Sequence, residues 1–486
     1  MKVLIIHPPW PGPGYGLRSQ NRWPRKKGDK SNRYPVYLCY VGTVLKTNGY
    51  DVEFIDSVFQ DLDYEQTYNE IAKRKPDFIF VETATPTINY DIEFISEIKK
   101  RFPEIRIVLA GTHVTHFPER TLKDSKVDVV VKGELDYTTL NAINALAKNT
   151  PLSEVKGIAY RDGDKIINNE PAPLIENLDE LPFPDRDLIP HQWYFEGHVV
   201  NKPFTFIVGG RGCPFRCTFC LWPNTWQNHE IRYRSVENVV KEIKWLKEKY
   251  GMKEILFDED TFNVHKWRVV DLCKAMVEND ATIKFSCSCR VHPIDEEMLG
   301  WMKKAGCRLI FYGAESANQE TLNKVKKGQT VEQIKNAFKL TKKAGIAVHG
   351  NFMLGFPWES EEDTERTIQL ALEMDPDTVQ FSLVFPHPGT EMYEQAISEG
   401  WFYDGIAENF DAFDMVKGPV MKATTPKHVL DNAIARAHAR FFFRPSYIMK
   451  QMLKVRSTED VRRLFKGAYS VTRGKILYNL KVAGTD

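Results

Sequence analysis

The sequence predicts an α/β protein made of two successive β/α units. An N-terminal doubly wound domain of the Rossmann or flavodoxin-like type covers residues 1–148, and a partial, TIM-like (βα)6 barrel covers residues 201–400. Residues 149–200 read as a linker with a small hairpin, and residues 401–486 as a basic, C-terminal helical region. Three observations predict this layout. Short β-branched runs alternate with amphipathic segments from the N-terminus onward. A second strand and helix alternation repeats six times in the later half. Three cysteines, Cys213, Cys217 and Cys220, follow directly on the first strand of that second series.

A chain of 486 residues, 42% hydrophobic and 12% aromatic, is long enough for two or three domains with their own cores. Lys and Arg number 66 against 65 Asp and Glu, and a net charge of +1 gives no reason to expect nucleic acid as the main partner. No run approaches the ~18 consecutive apolar residues of a membrane span, and Met1 to His7 is too short to act as a signal peptide. The chain is therefore expected in the cytoplasm. There eight cysteines stay reduced, and three clustered ones serve as ligands rather than in disulfides.

In the first domain, residues 3–6, 52–55, 78–81, 105–110 and 127–131 read as five strands. The segment 92–101, apolar at Ile92, Phe94, Ile95 and Ile98, has the period of a helix lying on a parallel sheet. Such sheets take ligands at the carboxyl ends of their strands, here residues 8–16, 83–87, 111–113 and 133–134. The loop 8–35 is long, rich in Gly and Pro, and basic. It carries Arg18, Arg22, Arg25, Lys26, Lys27, Lys30 and Arg33 against Asp29 alone, with Trp10, Tyr15, Trp23 and Tyr34 interleaved. A loop of that length in a compact domain is either functional or a solvated segment. Residues 157–169 read as a hairpin around Asp162-Gly163-Asp164, and the Pro- and Asp-rich stretch 178–190 marks the connection between domains.

The second domain takes its strands from residues 205–208, 254–257, 284–290, 308–312, 347–354 and 378–384, with helices such as 236–249, 296–305 and 331–344 between them. On a parallel barrel the chemistry lies at the C-terminal ends of the strands. The first of these ends is Arg211-Gly212-Cys213-Pro214-Phe215-Arg216-Cys217-Thr218-Phe219-Cys220, and no fourth cysteine follows for more than fifty residues. A structural zinc site closes with four protein ligands, whereas a 4Fe-4S cluster held by three cysteines leaves one iron open to a ligand that is not protein. Zinc completed by a distant His, or cysteines clustered by chance, is the alternative. On the third strand Ser286, Ser288 and Arg290 alternate with Phe285, Cys287 and Cys289, so the two sets face opposite sides. If Arg290 is the inward member, Cys287 and Cys289 turn toward the helices and, like Cys273 and Cys307, read as small apolar core residues.

The cysteine spacing resembles that of the radical S-adenosylmethionine (SAM) superfamily. The later strand ends follow that family in order: Phe257-Asp258-Glu259-Asp260-Thr261-Phe262, Tyr312-Gly313-Ala314-Glu315-Ser316, His349-Gly350-Asn351-Phe352-Met353-Leu354-Gly355-Phe356-Pro357 and Phe385-Pro386-His387-Pro388-Gly389-Thr390. The resemblance implies that the open iron of a cluster on Cys213, Cys217 and Cys220 chelates the amino and carboxylate groups of SAM. It implies further that Phe219 lies beside the adenine and that Asp258 or Glu259 accepts from the SAM ammonium. Arg290 would face a carboxylate, Glu315 and Ser316 the ribose and methionine, and the segment through Gly355 the adenine. Three acids in a row equally suit a solvated turn.

The first domain resembles the cobalamin-binding domain that precedes the barrel in one class of these enzymes. Ala110-Gly111-Thr112-His113 and Val131-Lys132-Gly133-Glu134 stand at its Gly-rich turn and its Gly-Glu, and Thr83-Ala84-Thr85 at its Ser/Thr pair. This implies corrinoid contacts at Thr83, Thr85, Gly111, Thr112, His113, Gly133 and Glu134. The Asp-x-His-x-x-Gly sequence that supplies an axial histidine in other cobalamin proteins is absent, so no ligand is expected from that motif. A domain with an empty pocket, or one that only contacts substrate, is the alternative.

Over nearly its whole length the chain is similar to hopanoid-biosynthesis radical SAM proteins that form the cyclitol head group, and beyond them to the anaerobic magnesium-protoporphyrin IX monomethyl ester oxidative cyclases. The residues include Cys220-Leu221-Trp222-Pro223 and Phe443-Arg444-Pro445-Ser446-Tyr447-Ile448. The implied activity is reductive cleavage of SAM, with an electron from a ferredoxin or flavodoxin, to a 5'-deoxyadenosyl radical. That radical would attack an unactivated carbon of a lipid or tetrapyrrole-like substrate in ring formation or rearrangement. Cobalamin-dependent C-methylation is the alternative reaction, and a noncatalytic iron-sulfur or zinc binding protein the alternative of another class. From Arg436 to Asp486, twelve Lys and Arg stand against three acids. This basic region reads as a helical cap on the barrel or, in the alternative, as a peripheral membrane contact that would suit a lipid substrate.

Overall fold

The computed structural model of the 486-residue chain describes residues 1–9, 33–194, 196–413 and 418–454, with the backbone of 15–16 and 26–27. The basic side chains from Arg18 to Lys30, and residues 455–486 of the basic C-terminus, lie outside the described residues.

Strands β1 (Lys2–His7), β2 (Asp51–Asp56), β3 (Phe78–Thr83), β4 (Arg106–Gly111) and β5 (Val129–Val131) pair in parallel in the order β2-β1-β3-β4-β5. Helices cover both faces, which is why the strands are continuous apolar runs rather than alternating ones. The order reverses between β1 and β3, and doubly wound sheets bind their ligands in the crevice at such a reversal. The hairpin expected in the linker forms, as β6 (Ile158–Asp162) and β7 (Lys165–Asn168), but it belongs to this sheet. β6 pairs antiparallel with β5, making seven strands. Val129, Val130 and Val131 would otherwise leave an apolar, unpaired edge, and the hairpin covers it.

The barrel follows as β8 (Phe204–Ile207), a two-residue pair β9 (Gly210–Arg211) and β10 (Arg232–Tyr233), then β11 (Glu254–Phe257), β12 (Lys284–Cys289), β13 (Cys307–Glu315), β14 (Ala347–Leu354) and β15 (Thr378–Leu383). Six of these make one sheet in the order β8-β11-β12-β13-β14-β15, parallel throughout. The helices between them start where Ser235, Asp295, Thr330 and Ser360 accept a backbone N–H in the first turn. Gly251 and Gly306, both left-handed, end two of them. Cys273, Cys287, Cys289 and Cys307 pack with Phe285 in the core between strands and helices, as the alternation on β12 predicts.

The two units share cores instead of meeting across a polar seam. Val3, Ile5 and Tyr37 pack with Phe206, Trp222 and Trp226, and Ile88 and Val114 belong to one cluster with Phe356, Leu383 and Phe385. These barrel residues stand at or beyond the C-terminal ends of their strands, so the first domain sits over the mouth. Helix Lys427–Phe442 lies along β15. No helix among the described residues is long and apolar enough to cross a membrane.

Candidate active site at the barrel mouth

The cysteine loop is tied down through its backbone. Thr218 N–H donates to the Val325 carbonyl at 3.1 Å, and Met392 N–H to the Thr218 carbonyl at 3.0 Å. Cys213 and Cys217 are buried and Cys220 half-buried, all three unbridged. Cys213 Sγ lies 3.4 Å from Thr261 Oγ1 beyond β11, and Cys217 Sγ lies 3.9 Å from Arg290 Nη1 beyond β12. Burial pushes the Cys213 thiol above its ordinary range, so a ligating thiolate there needs positive charge nearby. Among the described residues, no group of three or more His, Cys, Asp or Glu is arranged to hold a metal ion. In a 4Fe-4S cluster each cysteine binds its own iron, and the sulfurs surround a volume rather than a point.

Positive charge stands beside Cys217, the next cysteine of the loop. Arg290 is buried, with Cζ 3.7 Å from the Phe215 ring centroid, and donates to the carbonyls of Lys327 and Gly328, the latter at 3.2 Å. A buried guanidinium held by carbonyls, a ring and a sulfur is a strong site for an anion. Lys327 is also buried, and its Nζ donates to Glu315 Oε1 at 2.7 Å. Burial works against its charge, but Glu315 and the nearby Cys217 hold its pKa above the usual value. Glu315 ends β13 at φ +64, an uncommon conformation for a side chain other than Gly and one that surrounding structure must enforce. These residues fit an anionic cluster and a carboxylate ligand. Lys327 belongs to none of the motifs in the sequence, and only its contact with Glu315 brings it to the site.

The structure separates Asp258 from Glu259. Asp258 turns toward the first domain and ion-pairs with Arg33, whose guanidinium also lies 4.8 Å from the Phe206 centroid and 3.9 Å from Glu196. Glu259 is buried and accepts from the Gly209 backbone; burial pushes its carboxyl up to about 7 despite the pull of Arg268 and Arg234. The Ser316 hydroxyl donates to Glu359 Oε1 at 2.7 Å, which engages it in packing behind Glu315. Phe219 lies edge-on to Phe356 at 6.5 Å, and Gly355 makes the left-handed turn (φ +84) after β14. Deeper on the lumen wall, His349 Nδ1 is 2.7 Å from Thr378 Oγ1, and burial lowers this imidazole to about 4, so it is neutral.

The seven residues matched to the corrinoid turns all lie at the carboxyl edge of β3, β4 and β5. Thr83 donates to Asp91 Oδ2 at 2.7 Å, and Thr85 Oγ1 is 3.1 Å from His113 Nδ1. His113 packs between Phe117 and Phe410, and burial drives it down to about 3. Thr112 is buried. Gly111, at φ +130, has no room for a Cβ against the Thr83 carbonyl, whereas Gly133 faces open space. Glu134 is held by Arg232 and Arg211. His7 Nε2, buried at the end of β1, has no hydrogen-bond partner among the described residues. Its Nδ1 lies 3.4 Å from Asp56 Oδ2, which also accepts from the Tyr194 hydroxyl at 2.7 Å. An unmet buried nitrogen costs about 1–3 kcal/mol, and here it stands at the reversal of strand order. The edge therefore fits a bound polar group, and His7, which reads as an ordinary strand end, escapes a motif search.

Two family descriptions match the chain: a B12 binding domain over residues 30–143 and the radical SAM superfamily over residues 207–371. An uncharacterized methyltransferase of Pyrococcus horikoshii is 33% identical over 464 residues, covering 93% of this chain and 95% of that one. The anaerobic magnesium-protoporphyrin IX monomethyl ester cyclase of Rubrivivax gelatinosus is 29% identical over 93% of this chain and 80% of its own. Among solved structures, the cobalamin-dependent SAM radical enzyme OxsB, with aqua-cobalamin and SAM bound, superposes with a TM-score of 0.71 over 99% of this chain and 72% of that one, at 17% identity. TsrM of Kitasatospora setae, a radical SAM methyltransferase, gives 0.65 over 82% and 75%, at 20% identity. The cofactors are a 4Fe-4S cluster, SAM and cobalamin. The chain belongs to the radical SAM superfamily, as a cobalamin-binding radical SAM enzyme.

Proposed function

We propose that SAM is cleaved at the Cys213, Cys217 and Cys220 cluster to act on an unactivated carbon of a lipid or tetrapyrrole-like small molecule, in a ring-forming or rearranging reaction. The observation that carries the site assignment is the buried cationic rim of Arg290 and Lys327 beside Cys217. Bound there, the cluster and SAM supply a primary carbon radical, and cobalamin supplies a carrier for a methyl group or an electron. The protein positions and shields. Arg290 takes the SAM carboxylate, and Glu259, whose buried carboxyl is easily recharged by a cation, takes the ammonium. Lys327 holds Glu315 toward the ribose, Phe219 covers the adenine and the backbone at Gly355 receives its edge. Neutral His349, paired with Thr378, offers the substrate a hydrogen bond without a charge. The first domain over the mouth excludes water, which a reactive radical requires.

A ferredoxin or flavodoxin supplies the electron in this proposal. Among the described residues the helix Pro445–Lys454 leaves Ile448, Met449, Met452 and Leu453 exposed, and the sequence that follows it is strongly basic, which suits an anionic membrane surface. Retention on phosphatidylglycerol vesicles but not on neutral ones tests that contact. Methyl transfer is the second reading, favoured because the relative at 33% identity is named a methyltransferase. Anaerobic incubation of the reconstituted enzyme with SAM, reductant and the small-molecule fraction of a cell extract separates the two. Ring formation gives 5'-deoxyadenosine without S-adenosylhomocysteine, and methyl transfer gives both. Neither product forming would remove the proposal.

A further inference from the structure

We propose that Glu134 and Asp136 of the first domain are positioning residues for the iron-sulfur cluster, clamping the root of the cysteine loop through Arg211 and Arg232. The proposal rests on the cluster-bearing role of that loop.

Arg211 stands two residues before Cys213 and pairs with Arg232 across the β9–β10 hairpin. With two residues in each strand, the hairpin has little stability of its own. Both arginines are instead gripped by the neighbouring domain. Arg211 forks onto Asp136, at 2.6 Å and 3.1 Å, and reaches Glu134 Oε1 at 3.3 Å. Arg232 forks onto the two Glu134 oxygens, both at 2.9 Å, and donates to the Ile175 carbonyl at 2.7 Å. Glu134 Oε2 also accepts the Ile175 N–H at 2.9 Å. All four side chains are at least nine-tenths buried. The rings of Tyr37 and Tyr40 each lie 5.4 Å from the Arg211 Cζ.

Two carboxylates and two guanidiniums make a neutral group, so it persists without solvent. The forks fix orientation as well as distance. Burial disfavours its charge, yet Arg211 and Arg232 hold Glu134 below the usual carboxylate range. Between clamp and ligand stands only Gly212, at φ +90, and the Cys213 N–H closes the hairpin loop on the Asn228 carbonyl at 3.4 Å. The orientation of Cys213 therefore follows that of Arg211. This gives Glu134 a different role from the corrinoid contact its Gly-Glu position implies: its oxygens face the cysteine loop.

The test is Glu134→Gln and Asp136→Asn in the full chain, reconstituted anaerobically beside wild type. Cluster loss to an iron chelator, the electron paramagnetic resonance (EPR) signal of the reduced cluster with and without SAM, and bound cobalamin by absorbance are read on the same samples. Each variant is expected to lose its cluster to the chelator about tenfold faster, as outer-shell ligand partners do, and to show a weakened SAM-induced change in the EPR signal while cobalamin binding stays at the wild-type level. The double variant E134Q/R232M, which restores neutrality, is expected to recover part of the signal. If Glu134→Gln does not fold, Arg211→Lys and Arg232→Lys keep the charge, remove the fork and carry the same expectation. Unchanged cluster behaviour in the folded variants, or loss of cobalamin with the cluster intact, overturns the proposal. Failure of wild type itself to build a cluster would instead strike the proposed function.

Discussion

At the carboxyl edge of the first sheet Thr83 binds Asp91, Thr85 meets His113 and Glu134 grips two arginines, whereas at the barrel mouth the Arg290 guanidinium reaches, among the described residues, only carbonyls, a ring and a sulfur. Both edges carry polar residues from family motifs. In the first, the protein satisfies most of them itself, while His7 Nε2 has no partner among the described residues. In the second, Arg290 is held close to the Cys217 thiol by neutral partners, while Lys327 beside it is already paired with Glu315. The difference teaches that a motif position does not reveal whether its side chain serves the ligand or the fold. Removing a mouth residue should therefore cost SAM binding or cleavage directly, and removing a first-edge residue should act through whatever that residue holds.

The largest effect is expected at the cluster. Cys217→Ala should reduce 5'-deoxyadenosine, followed by chromatography, to background while leaving cobalamin absorbance bound to the chain. Next comes Arg290→Gln. A charge-assisted hydrogen bond is worth about 1.5–3 kcal/mol, so SAM affinity by equilibrium dialysis should fall roughly tenfold to a hundredfold. Arg290→Lys should not restore it, since a point charge lacks the fork.

Glu259 gives a pH signature at the same edge. Its carboxyl is raised to about 7 and must be ionised to hold an ammonium. Below that pH a proton has to leave when SAM binds, so affinity weakens as pH falls; above it the carboxylate is already charged. SAM affinity should improve about tenfold between pH 6 and pH 8, and Glu259→Gln should flatten the profile. The smallest effects distinguish the two histidines of the first edge. His7→Ala should weaken cobalamin binding severalfold. His113→Ala, which empties a site between Phe117 and Phe410, should lower thermal stability by about 1–3 kcal/mol with little change in cobalamin affinity.

Much of the framework was legible in the sequence, because it rests on local periodicity. The strands at 254–257 and 347–354 fall at the predicted bounds, and the alternation on β12 correctly puts Cys287 and Cys289 on the side opposite Arg290, whose inward direction the family resemblance implied. What escaped depends on partners far apart in the chain. Lys327 becomes a site residue only when β13 brings Glu315 to it, and Asp258 meets Arg33 across 225 positions. Glu134 stood out as a motif, but its partners, Arg211 and Arg232, were set by how the domains dock. The hairpin of β6 and β7 was recognisable, but its attachment to the first sheet was not, since edge pairing leaves no local signal.

The proposed function requires a three-cysteine cluster at the mouth that cleaves SAM. Anaerobic reconstitution followed by iron, sulfide and product analysis tests it most directly. About four irons and four sulfides per chain are expected, with 5'-deoxyadenosine appearing on addition of SAM and reductant. A chain that binds metal stoichiometrically yet leaves SAM intact under reduction would contradict it.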